Sequence, residues 1–412
     1  MKTRYEVIWI DDKWEEMEAF KEECEVIHHI HLHPFETQKA GMDEFDKNPK
    51  KWDAIILDAK LEKDGVGVEG LRKAVTHINQ MALSHKVPYF ISTGQPDLMS
   101  NETFKQSFGA YYIKERDDAQ LIADIKKTAN ESTRFLVKSY YSDAIEQLRL
   151  LNDWGCEKIL DILEAQHFPE NKIDPLLYYN PLRQILEHVF RAAHKVGLIP
   201  DEFIGEEKND VNLNQCVQYL SGRNSDWLGL RYGGAKDYIV PPHIRDMMFL
   251  VLNLGNINSH STTFNDKELI KLGKYFEDNV CNSQYTIYSI ALQVCEIVLF
   301  INRYISRNNN RNENLKMCKT FGIIERIEGN ESICVIKSKR SGRESNICLS
   351  AKDANDKGLI GKKVVVLEEG VNKNPETKGI YPYYATKFQS LEKENGSKLN
   401  GTVHKVVFLA RL

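Results

Sequence analysis

A chain of 412 residues, 42% hydrophobic and 28% charged, is too long for one core and too balanced for a disordered or fibrous protein. Its formal net charge of −4 gives no whole-chain case for nucleic acid or a membrane surface. No apolar stretch reads as membrane-spanning, and the short apolar run of MKTRYEVIWIDDK ends in acids, unlike a signal peptide. The eight cysteines form no CxxC pair, so buried, reduced thiols in a cytoplasmic protein are expected rather than zinc or redox chemistry.

Residues 1–130 alternate apolar runs with amphipathic stretches. YEVIWI reads as a strand, WEEMEAFKEECE (14–25) as a helix, VIHHIHLH (26–33) as a strand and AIILDA as a fully apolar strand. GVEGLRKAVTHINQMA then reads as a helix, VPYFIST as a strand, NETFKQSFG as a helix, AYYIK as a strand and DDAQLIADIKKTANE as a helix. Alternating β and α with apolar strands predicts a parallel sheet covered on both faces. Ligands in such sheets sit at the carboxyl ends of strands. Asp11 and Asp12, then Asp58, Thr93 and Lys114, fall at those ends. Mg²⁺ takes hard oxygen ligands, and an aspartate can serve as nucleophile toward phosphorus. An ammonium and a hydroxyl can then bind the phosphoryl oxygens. Together these groups suit phosphoryl transfer onto an aspartate.

Residues 1–128 resemble the receiver domain of two-component response regulators. The resemblance is carried by IWIDDK for the acidic pair, AIILDAKL for the phospho-accepting aspartate, FISTG for the conformational hydroxyl and GAYYIKE for the lysine. It implies a flavodoxin-like five-stranded parallel sheet, Asp58 as phosphoacceptor, and Mg²⁺ held by Asp11, Asp12, Asp58 and the Lys60 backbone carbonyl. Thr93 and Lys114 are then phosphate-contacting residues, and Tyr111 matches the family's aromatic switch. Three features depart from the family: Glu115 follows the lysine where proline is usual, the 109–114 loop is short, and AKLEKDGVGVEG is long and charged.

Residues 131–305 have helical periodicity in SDAIEQLRLLNDWGCEKILDILEA, PLRQILEHVFRAAHKVG, PPHIRDMMFLVLNLGNINSH, DKELIKLGKYFEDN and the apolar SQYTIYSIALQVCEIVLFINRYIS, which is expected at the centre of an all-α bundle. The stretch around Asn256 and His260 resembles the motif of HEPN-type helical bundles, with Gly255 where RNases of that type carry arginine. A close-approach glycine or a noncatalytic dimerisation bundle is the favoured reading over RNase activity. The polar SRNNNRNEN (306–314) reads as a linker.

Residues 315–412 turn to short runs such as FGIIERIE, SICVIKSK, SNICLS, KKVVVLEE and TVHKVVFLA, the signature of a small all-β barrel-like domain. Their cadence resembles OB and cold-shock barrels. Nucleic-acid binding there is an alternative rather than the favoured role, because the early strands lack stacking aromatics. In the histidine run, His29, His31 and His33 share a strand face. A single row does not converge on a metal and no further ligand is near in sequence, so a solvated polar face is expected.

The reading is a multi-domain, cytoplasmic response-regulator-like protein that accepts a phosphoryl group on Asp58 from a histidine kinase and relays it to helical and β output domains. Homodimerisation through the helical region is the other expected contact. It is not expected to be an enzyme beyond turnover of its own Asp58. The alternatives are a non-phosphorylated receiver-like scaffold and an RNA-binding protein using the later regions.

Overall fold

The computed structural model describes residues 3–59, 67–81, 86–94, 108, 111–205, 211–226, 228–257, 284–338, 347–391 and 403–405. Contacts divide the chain into two units: Met1–Glu146 with Cys156–Ile173, and Gln147–Gly155 with Asp174–Leu412.

In the first unit, β1 (Tyr5–Ile10), β2 (Ile30–Phe35), β3 (Ala54–Asp58), β4 (Tyr89–Thr93) and β5 (Tyr111–Ile113) form a parallel sheet in the order β2-β1-β3-β4-β5. This is the flavodoxin-like order expected above. The helices α1 (Glu18–Val26), α2 (Gln38–Lys47), α3 (Gly67–Met81) and α4 (Asp118–Asn130) cover it. The period of two along β1 sends Ile8 and Ile10 to one face, against Phe45 of α2 and Leu71 of α3. Val7 and Trp9 go to the other, against Phe20 of α1 and Ile125 of α4. Apolar side chains on both faces explain why these strands read as nearly continuous hydrophobic runs.

Two local assignments differ from expectation. β2 begins at Ile30, not at Val26, because α1 runs on through Val26 and His29 turns the chain with φ 58°. The stretch 38–47, which the periodicity left unassigned, is a helix started by Thr37, whose hydroxyl oxygen accepts from the Ala40 N–H at 3.2 Å. The expected helix NETFKQSFG lies outside the described residues, apart from Phe108.

The first unit runs past the expected boundary at 130. Helix α5 (Thr133–Tyr140) and residues 156–167 belong to it. Arg134, 5% exposed, donates to Glu157 Oε2 at 2.5 Å, Asp161 Oδ1 at 3.0 Å and Glu164 Oε2 at 3.1 Å. Lys50, before β3, reaches the same Asp161 oxygen at 2.9 Å. Lys138 of α5 pairs with Asp53, whose carboxylate also accepts from the Glu6 N–H of β1. A buried ion network thus fastens these helices to the amino-terminal side of the sheet. The helix expected over 142–165 is two, α6 (Ser142–Leu151) and α7 (Asp153–His167). They part at Asn152, whose side-chain oxygen accepts from the Gly155 N–H at 2.9 Å and so starts the second helix.

In the second unit, α8 (Tyr179–Lys195), α9 (Leu213–Leu220), α10 (Pro242–Ile257) and α11 (Tyr285–Arg307) form the helical part, with α8, α10 and α11 packed on one another. By length and composition α11, with 23 residues and a mean hydropathy of 1.5 in its most apolar window, is apolar enough to cross a membrane, contrary to the expectation that no stretch is. In the fold it buries Ile287, Ile290, Val294, Val298 and Ile301 within the bundle, which accounts for that hydropathy. The expected helix DKELIKLGKYFEDN lies outside the described residues.

Gly255 is a close-approach residue. A Cβ there would stand 2.4 Å from Arg183 Cβ of α8 and 3.1 Å from the Tyr179 carbonyl oxygen. Both obstacles are close to the backbone and give way poorly. Gly255→Ala is therefore expected to destabilise the protein by about 1–3 kcal/mol, seen as a lower urea midpoint with an unchanged slope.

The stretch 306–314, expected as a linker, is fastened instead. It contains part of a short helix, α12 (Arg311–Leu315), capped by Asn310, whose side chain accepts from the Asn312 N–H at 3.1 Å. The Asn314 amide donates to the Val196 and Asn308 carbonyls at 2.7 and 2.8 Å. Its polarity serves capping and bridging rather than freedom.

Beyond it, β7 (Cys318–Ile327), β8 (Asn330–Lys337), β9 (Ile347–Ser350), β10 (Lys363–Val371) and β11 (Tyr383–Ser390) make a closed five-stranded barrel in the order β7-β8-β9-β11-β10, with β10 returning to β7. A short helix, α13 (Ala351–Asp356), joins β9 to β10, and β9 pairs parallel with β11. Ile324, Cys334, Leu349, Val364 and Phe388 fill the interior. β6 (Leu230–Tyr232), from the helical stretch, pairs with β7, and β12 (Val403–Lys405) with β11. The β6–β7 pairing thus joins the helical stretch to the barrel within a single unit.

Candidate functional site: an acidic pocket at the strand ends

Each polar group of the pocket is positioned by the last residues of a strand. Asp11 follows β1, and its N–H donates to Phe35 O at 2.9 Å, so β2 sets its direction. Asp58 ends β3 and Thr93 ends β4. Lys114 follows β5, and its N–H donates to the Thr93 carbonyl at 3.0 Å, which ties the ends of β4 and β5 together. Asp11 is fully buried, Asp12 and Thr93 are buried, and the side chains of Asp58 and Lys114 are nearly so.

The lysine joins the acids. Its Nζ stands 2.8 Å from Asp11 Oδ2 and 3.1 Å from Asp58 Oδ2. The other Asp11 oxygen accepts from the Lys13 N–H at 3.0 Å. Burial alone lowers the affinity of Lys114 for its proton, but the Asp58 and Asp11 carboxylates outweigh it and hold the ammonium above its ordinary pKa. Lys114 is therefore cationic across the neutral range.

One carboxylate oxygen from each of Asp11, Asp12 and Asp58 lies within 4.8 Å of the other two. Three carboxylates against one ammonium leave an excess of negative charge. The donor set is all oxygen, which suits a hard divalent cation. Tyr111, half-buried on β5, packs beside the core on the α2 and α3 face. Lys60 lies outside the described residues, as do the Asn256 side chain and His260 of the HEPN-like motif; the Asn256 backbone is in α10.

The residue after the lysine has a backbone reason not to be proline. Glu115 has φ 67°, in the left-handed region that a proline ring cannot enter. The turn is closed by the Asp118 side chain, which accepts the Glu115 N–H at 3.1 Å, and by Asp117, which accepts the Ile113 N–H at 2.9 Å. Glu115→Gly is expected to stabilise the protein by about 1 kcal/mol by removing the left-handed Cβ penalty, read from the thermal midpoint.

One constellation escaped the sequence reading. Glu6, from β1, comes within 2.7 Å of His33 on β2. The available signal was an acid inside an otherwise apolar strand run, YEVIWI.

The sheet order, with two acids after β1, an aspartate ending β3, a hydroxyl ending β4 and a lysine after β5, defines the N-terminal region as a receiver-like α/β domain. Receiver proteins of known structure are similar to this chain over its N-terminal part. They include a response regulator receiver domain protein from Clostridium thermocellum, 21% identical, with 31% of this chain and 94% of that one covered and a TM-score of 0.25. A response regulator receiver protein from Burkholderia phymatum is 19% identical over 31% of this chain and 98% of that one, with a TM-score of 0.24. A CheY-like receiver domain protein from Methanospirillum hungatei JF-1 is 20% identical over 31% and 96%, also with a TM-score of 0.24. No protein-family model matches the chain, and no curated protein does.

Proposed function

We propose that this protein is a phosphorylation-responsive signalling protein in which Asp58 accepts a phosphoryl group from a partner histidine kinase. The observation that carries the reading is the Lys114 ammonium held 2.8 Å from Asp11 and 3.1 Å from Asp58 at the mouth of a parallel sheet. An Asp58 carboxylate oxygen attacks phosphorus, a P–O bond forms, the P–N bond of phosphohistidine breaks, and the leaving imidazole takes up a proton. Lys114 faces the charge carried by the transferred group. Asp11, Asp12 and Asp58 would hold Mg²⁺, which when bound neutralises phosphoryl oxygens. In this reading the Thr93 hydroxyl follows the new charge, and the backbone hydrogen bond from Lys114 to the Thr93 carbonyl couples the two strand ends.

The helical bundle and barrel of the second unit are the output region in this reading. No hydrolytic activity is proposed for them. A reducing, cytoplasmic setting goes with the buried cysteines Cys24, Cys216 and Cys334, none of them in a disulfide.

The test is the intact mass of the full chain after incubation with Mg²⁺ and a small phosphodonor, and separately with a phosphorylated histidine kinase. Wild type is expected to gain one phosphoryl group, and Asp58→Asn none. A wild-type mass unchanged under both donors would leave a scaffold whose receiver-like domain does not switch.

A further inference from the structure

The histidine run has no place in the acidic pocket, yet the fold supplies it with a partner. His31 and His33 alternate onto one face of β2, the edge strand of the sheet, and the β1–β2 register sets Glu6 directly opposite His31. His33 Nε2 lies 2.7 Å from Glu6 Oε2. The two imidazoles stack with centroids 4.3 Å apart and planes within 10°, and Trp52 meets the His33 ring edge-on at 4.9 Å. One donor atom from each of Glu6, His31 and His33 lies within 4.8 Å of the others. His29 does not join them, because its left-handed backbone stands before the strand.

We propose that Glu6, His31 and His33 form a binding site for a borderline first-row divalent cation of the Zn²⁺ class, separate from the acidic pocket. Two imidazoles and one carboxylate, with a fourth position open to water, form a donor set that Zn²⁺ accepts in tetrahedral geometry. Metal–donor bonds of about 2.0–2.1 Å place tetrahedral donors about 3.3 Å apart. The His33–Glu6 separation therefore has to open by about half an ångström, within the reach of side-chain torsions.

The surroundings suit the role. Glu6 is 1% exposed, and its other oxygen accepts from Arg4 Nε at 3.0 Å, which orients the carboxylate from behind. Its backbone N–H donates to Asp53 at 2.8 Å. The histidine side chains are partly exposed, 32% and 25%, so an ion has a path from solvent. Imidazole nitrogen favours Zn²⁺ and its neighbours, whereas the acidic pocket offers oxygen alone and favours Mg²⁺. Glu6 is five residues before Asp11 along an extended strand, about 16 Å away at the usual rise. The two sites therefore select different ions without sharing a ligand. This inference is independent of phosphorylation at Asp58.

The experiment is a titration of the full chain with Co²⁺ as a spectroscopic stand-in for Zn²⁺, at neutral pH with Mg²⁺ in excess. A four-coordinate site with nitrogen donors gives intense visible absorption, and an all-oxygen octahedral site gives weak absorption. The expected result is one equivalent of intensely absorbing Co²⁺ that stoichiometric Zn²⁺ displaces. The signal should persist in Asp58→Asn and in the surface control His77→Ala. It should weaken at least about tenfold in His31→Ala and in His33→Ala. His31→Gln retains a polar group on the exposed edge and still removes the ligand, so it decides the matter if an alanine variant misfolds. No intense band, a band that survives loss of His31, or a band abolished by Asp58→Asn would overturn the site and leave Glu6–His33 as a structural ion pair.

Discussion

Arg134→Ala is expected to cost about 3–5 kcal/mol of stability in the first unit. The guanidinium is buried and holds Glu157, Asp161 and Glu164 together, with Lys50 the further cation on Asp161. Removing it leaves three carboxylates crowded where water is scarce. Lysine is a poor substitute, because one ammonium does not reproduce a planar fork that serves three acids.

The pH dependence carries a sign that checks the cause. Burial by itself raises the Asp161 pKa, but Arg134 and Lys50 outweigh it and hold that carboxyl below its ordinary value. A carboxyl depressed in the folded state adds stability above its unfolded pKa of about 3.9 and loses it as pH falls through the folded value. In Arg134→Ala the burial contribution remains and its main opponent is gone. Acidification below about pH 4 should therefore weaken the wild type, whereas milder acidification should already relieve the variant. Hydrogen exchange in the full chain measures both effects, with protection of β1 and β3 falling in the variant while the barrel strands β7 and β10 serve as an internal reference. Unchanged protection of β1 and β3 would mean that the network contributes little beyond packing.

Lys114→Ala is expected to move two properties of the acidic pocket in opposite directions. Phosphoryl uptake by Asp58 should fall about 10²–10³-fold, the usual consequence of deleting one donor aimed at a developing charge. Divalent-cation affinity should rise, because the ammonium that now stands 2.8 and 3.1 Å from two of the three acids competes with any ion placed among them. The lysine pKa is raised in the fold, so this pairing is fully present below the unfolded lysine value and is lost only as pH climbs through the higher folded one. Both effects should hence be constant across the neutral range. Calorimetric Mg²⁺ titration and intact mass read them separately. A joint loss of ion binding and uptake would indicate that the lysine holds the pocket's shape rather than its charge.

Much of the pocket was legible before any coordinates, for a local reason. A buried strand reads as an apolar run, and the polar residue that ends the run marks the strand's carboxyl end. Asp11, Asp12, Asp58, Thr93 and Lys114 all stand at such ends, so their types and positions already pointed to one edge of a parallel sheet. A close-approach role for Gly255 was expected from its place in the HEPN-like stretch, but its neighbours, Arg183 and Tyr179 of α8, came only with the packing.

What the linear pattern could not contain was pairing at a distance. Glu6 and His33 are 27 residues apart and meet only because β1 and β2 take one register. Lys50 and Asp161 are separated by 111 residues, and a helix packed on the sheet is what joins them. The same holds for β11, whose Tyr383–Ser390 run mixes aromatic, polar and charged residues and becomes a strand through pairing with β9 and β10. Periodicity records which side of an element is buried, and the residues of this chain determined that by themselves. Which elements then face each other depends on long-range packing and strand register, and only the tertiary structure decided it.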